Sequence, residues 1–65
     1  MTENIKENAA NILSFVKERG AATAWDIKLH FRFSSSMLYL ALGALAAEGK
    51  IDITQQGLDY KITVL

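Results

Sequence analysis

From Ser34 to Lys50 the chain reads SSSMLYLALGALAAEGK. Serines open the stretch and Glu48-Gly49-Lys50 closes it. Between them Met37 to Ala47 runs apolar almost all the way round, with no Lys or Arg. Ser34 suits a helix N-cap, because its hydroxyl can accept from an open backbone N–H of the first turn. Gly49 suits the stop, because glycine takes the left-handed geometry that ends many helices. A helix that is apolar on every side is normally covered on every side. A small domain has a second layer to cover one face, so the other face needs a separate account.

At ~100° per residue, Leu38, Ala41, Leu42 and Leu45 gather on one face, which is the expected core face. Ser36, Tyr39, Leu40, Gly43 and Ala47 take the opposite face, with Met37 and Ala44 at its edge.

The flanking segments supply the rest of the core. Ile5, Ala9, Ile12, Leu13 and Val16 form one stripe at helical spacing, predicting a helix over Glu3 to Arg19. Thr2 or Asn4 suits its cap, Glu3 and Glu7 its positive end, Lys17 and Arg19 its last turn, and Gly20 its stop. Phe15 lies at the edge of the stripe. A short helix is predicted over Thr23 to His30, with Thr23 and Asp26 spaced as a capping box. Phe31-Arg32-Phe33 then reads as a turn whose aromatics plug the core. After Gly49 the period changes to two. Ile51 and Ile53, then Tyr60, Ile62 and Val64, alternate with polar residues around a turn holding Gly57, which predicts a β-hairpin. Ala21-Ala22 can add a short third strand.

Composition bounds the function. Sixty-five residues make a single domain, 1–65, with a marginal core and no cysteine to staple it, so pairing with a second copy is a natural source of burial. Seven basic residues balance seven acidic ones, whereas a free-standing DNA binder usually has a basic bias. No apolar segment follows the polar Met1 to Lys6 as in a signal peptide, and no run reaches the ~18 residues of a membrane span. The expectation is a cytoplasmic protein. One histidine, no phosphate loop and no metal-ligand spacing argue against an enzyme: no catalytic residue, cofactor, metal or small-molecule ligand is expected, nor a pocket of ligand size. His30, between Leu29 and Phe31, reads as structural.

The order helix, helix, helix, hairpin resembles the winged helix-turn-helix fold, an α+β architecture in which the hairpin is the wing. The resemblance rests on Thr23-Ala24-Trp25-Asp26-Ile27, on Phe31-Arg32-Phe33-Ser34, and on Leu42, Leu45 and Glu48-Gly49-Lys50-Ile51. The run Tyr39-Leu40-Ala41-Leu42-Gly43 is further similar to a small family of stand-alone bacterial winged-helix proteins without an assigned function. Two positions depart from the pattern. Arg32 stands where glycine is frequent, so it must take an uncommon backbone geometry or change the turn. Lys28 stands where a small alanine is frequent.

The resemblance implies a DNA-binding transcriptional regulator, in which the outer face of the third helix enters the major groove. The residues available for that role are Lys28, Arg32, Ser35, Ser36, Tyr39 and Lys61, enough for weak, salt-dependent binding to double-stranded DNA. Against it, the outer helix face offers no Arg, Lys, Asn or Gln to base edges. The wing tip, Thr54 to Asp59, also has no basic residue. The competing reading is a homodimeric protein-interaction module that keeps the fold without binding DNA. Its interface candidates are Trp25, Leu29, Tyr39, Leu40, Gly43 and Ala47, because exposed contiguous apolar surface marks a partner site.

Overall fold

The computed structural model describes residues 2–65, with side chains from Ile5 onward. The expected caps Thr2 and Asn4, and the acid at Glu3, lie outside the described side chains. Three helices, α1 (Thr2–Arg19), α2 (Ala24–Phe31) and α3 (Ser35–Ala47), pack with strands β1 (Ala21–Thr23), β2 (Ile51–Gln56) and β3 (Asp59–Val64). This is the expected α+β order, short third strand included. The antiparallel sheet has the order β1-β3-β2, with Ile62 opposite Ala22 on one side and Ile53 on the other.

Local chemistry sets the boundaries. Thr23 Oγ1 accepts from the Asp26 N–H at 3.1 Å, and an Asp26 carboxylate oxygen accepts from the Thr23 N–H at 3.4 Å, completing the capping box of α2. Helix α2 runs one residue beyond its predicted end and stops at Arg32, which is left-handed at φ 58° and ψ 40°. The Phe33 N–H then donates to the Lys28 carbonyl at 3.1 Å. A non-glycine residue thus accepts the uncommon geometry, at a cost of roughly 1 kcal/mol. Ser34 Oγ accepts from the Met37 N–H at 3.1 Å and caps α3. At the other end Gly49 N–H donates to Ala46 and Lys50 N–H to Leu45, both at 3.0 Å, a Schellman motif. Gly57 (φ 65°) and Leu58 form a two-residue turn between the paired Gln56 and Asp59. Glycine at its first position supplies the positive φ of a type II′ hairpin.

The core is aliphatic. Ile12, Val16, Ile27, Leu38, Leu42, Leu45 and Ile62 are its large, essentially inaccessible side chains, and Ala9, Ala22, Ala24, Ala41 and Ile51 complete it. Phe31 and Phe33 pack against it from its edge. They are half-buried and stack on each other at 5.1 Å, while Phe15 stacks on His30 at 4.3 Å. With Arg19 5.2 Å from the Phe15 ring centroid, these rings seal one end of the core instead of filling it. The fully buried large side chains are all aliphatic, and the rings pack against them at the margin.

Candidate nucleic-acid and partner interface

Helix α3 divides its faces as its spacing requires. Leu38, Ala41, Leu42 and Leu45 are buried, Met37 and Ala44 are half-buried, and Ser36, Tyr39, Leu40, Gly43 and Ala47 are exposed. Tyr39 is 52% and Leu40 55% exposed. Among the described residues Gly43 has no packing reason: a Cβ built there meets nothing within 4 Å. Glycine in a helix interior costs roughly 0.5–1 kcal/mol relative to alanine, so the monomer carries that cost without an internal return.

Tyr39 joins two surfaces. On one side a cleft of ≈ 390 Å³ runs between α2, the start of α3 and the wing tip, lined by Trp25, Lys28, Ser35, Tyr39, Gln56 and Leu58 among others. On the other side Tyr39, Leu42, Ile53 and Tyr60 line a hollow of ≈ 210 Å³. The space lies in an open groove between elements and not inside the core.

The placement of the DNA candidates is divided. Lys28, Ser35 and Tyr39 share the cleft. The Lys28 stem is half-buried and its ammonium lies 5.5 Å from the Trp25 ring centroid, within cation–π range. Ser36 is exposed one residue further on, and Arg32 is exposed at the end of α2. Lys61 is not brought to this group. Strand alternation points it to the sheet face opposite Tyr60, where it borders a groove with Thr23 and Asp26. Among the described residues the one ion pair is Lys50–Glu48 at 3.6 Å, away from that cleft. No group of three or more His, Cys, Asp or Glu among them can hold a metal, and none of their helices is long and apolar enough to cross a membrane.

Trp25 and Leu29 are 57% and 58% exposed, so Trp25 lines the cleft without being covered by the wing. The sequence reading missed Ile53, Tyr60 and Leu58 as surface residues. Ile53 and Tyr60 follow the inward alternation, but the strands outrun the core. A six-residue strand spans ~20 Å and a packed helix covers ~10 Å of it. Leu58 stands fully exposed at the turn, where polar residues or glycine are usual. That anomaly was visible in the sequence.

Three helices, an antiparallel hairpin and a short strand closing its sheet define a winged helix-turn-helix, a fold suited in general terms to DNA-binding regulators and typically without catalysis. Residues 1–64 match the family model described as winged helix-turn-helix domain (DUF2582), and the chain belongs to that family. No curated protein matches it, and no solved structure matches it.

Proposed function

We propose that this protein is a non-catalytic, homodimeric interaction module, in which the helix face that would read bases in a DNA-binding relative packs on protein. One observation carries the reading: the outer face of α3 exposes Tyr39, Leu40, Gly43 and Ala47 and holds no basic residue. Base edges in the major groove are read by hydrogen-bonding side chains, with Arg on guanine the commonest contact. An apolar face desolvates those edges without replacing their hydrogen bonds, which costs affinity. Trp25, Leu29, Ile53 and Tyr60 extend the same apolar surface, and Trp and Tyr are the residue types that concentrate interface energy. The test is sedimentation equilibrium of the wild type and Leu40→Glu. A wild-type dimer that becomes monomeric on substitution supports the reading; a variant that keeps the wild-type mass sinks it.

A second reading, a weak DNA-binding transcriptional regulator, is favoured by the position of Lys28 and Arg32 beside the start of α3. This reading assigns them phosphate contacts, with Ser35 and Ser36 adding hydroxyls. An amide NMR titration with a generic duplex at low salt separates the two. Shifts mapping to residues 28–39 favour DNA, and their absence in a dimer-sized protein favours the interaction module.

A further inference from the structure

The outer face of α3 is unequal along its length. Its first half carries two large side chains, Tyr39 and Leu40, and its second half carries Ala46 and Ala47, with Gly43 between. All five are exposed. At ~100° per residue Tyr39 and Ala46 share the flank toward the wing, Leu40 and Ala47 share the other, and Gly43 sits on the ridge. A two-fold rotation about an axis through Gly43 exchanges the halves. It sets Tyr39 over the partner's Ala46 and Leu40 over the partner's Ala47. The face therefore carries both the projections and the recesses needed to fit itself, as an isologous contact requires. A parallel pairing would oppose large to large and leave alanines facing across a gap.

We infer that α3 pairs with α3 of a second copy in an antiparallel crossing centred on Gly43. This inference rests on the homodimeric reading above and specifies its geometry. Glycine at the ridge lets the backbones approach, which gives a use to a residue that no described neighbour requires. Charge agrees. The first turn of α3 has no acid and its last turn no base, so an antiparallel pair sets the positive end of one helix dipole beside the negative end of the other. No charged side chain lies on the ridge to repel its copy. A standard interface buries ~800 Å² per partner, about a fifth of the 4404 Å² surface. Tyr39 links the α3 strip to Trp25 on one side and to Ile53 and Tyr60 on the other, so the contact extends beyond one helix. In this dimer the reading helix is covered, so self-association and groove entry exclude each other.

The chain has no cysteine, so introduced cysteines report the geometry alone. Leu40→Cys and Ala47→Cys chains are mixed and mildly oxidised. A disulfide needs Cα atoms within about 7 Å, and the inferred crossing separates the two copies of residue 47 by ~12 Å along the helices. The mixed 40–47 disulfide should exceed either self-disulfide by about tenfold. Gly43→Leu should weaken association at least about tenfold, ~1.4 kcal/mol, while far-ultraviolet circular dichroism stays unchanged. Predominant self-linking at 40 or 47, or undiminished association of Gly43→Leu, overturns the antiparallel crossing and leaves the homodimer standing. A wild type that sediments as a monomer at millimolar concentration overturns both.

Discussion

The Tyr39 and Tyr60 rings meet edge to face, with centroids 6.3 Å apart and planes at 86°. This contact ties the wing to the outer flank of α3, on a surface more open than the core. It makes a wing without a basic tip part of one apolar surface with the helix.

Tyr60→Ala removes that tie. Aromatic pairs contribute about 0.5–1.5 kcal/mol beyond their burial, so a stability loss near 1 kcal/mol is expected in urea denaturation. Amide shifts should concentrate in β2, β3 and around Tyr39. Changes spread evenly over α1 would show that the pair does not hold the wing.

Leu40→Glu should leave the isolated fold within about 0.5 kcal/mol of wild type, since surface substitutions away from special features are nearly neutral. Its effect should fall on mass instead. Dilution series of the melting temperature make the distinction, because a dimer's midpoint depends on concentration and a monomer's does not.

Thr23→Ala deletes the capping box of α2 and should cost about 1 kcal/mol. Thr23→Ser keeps an acceptor for the Asp26 N–H and should recover most of it. Equal losses in the two variants would assign the effect to β1 packing.

Arg32→Gly should be more stable than Arg32→Ala by roughly 1 kcal/mol, because only glycine takes φ 58° without a Cβ penalty. If Arg32 and Lys28 both meet phosphates, the double alanine variant should flatten the salt dependence of DNA binding by about two counterions. An unchanged slope removes them from any DNA surface.

Ile27→Ala creates a cavity at a site with no solvent access and should cost about 2–5 kcal/mol, enough to unfold a chain of this size in large part. Near-ultraviolet circular dichroism and a denaturant midpoint read the outcome. A loss under 1 kcal/mol would mean the core collapses around the gap.

Much of this architecture is written locally. A capping box spans four residues, a Schellman motif six, and a helical or alternating period shows within one element. The start of α2, both ends of α3, the buried and exposed faces of α3 and the pairing of the hairpin could therefore be read from neighbouring residues. At Arg32 only the resemblance marked the position, leaving an uncommon geometry or a changed turn, and the structure takes the left-handed geometry. What could not be read this way depends on how far one element extends over another. Ile53 and Tyr60 carry an inward pattern yet lie partly open, because the wing is longer than the helix layer beneath it. Phe31 and Phe33 lie at the margin because aliphatic side chains from all three helices and the sheet occupy the interior. Lys61 parts from Lys28 because strand alternation puts it on the face of β3 opposite the buried Ile62, beside Thr23 of β1. Periodicity assigns a side chain to a face; the packing of distant segments decides what that face meets.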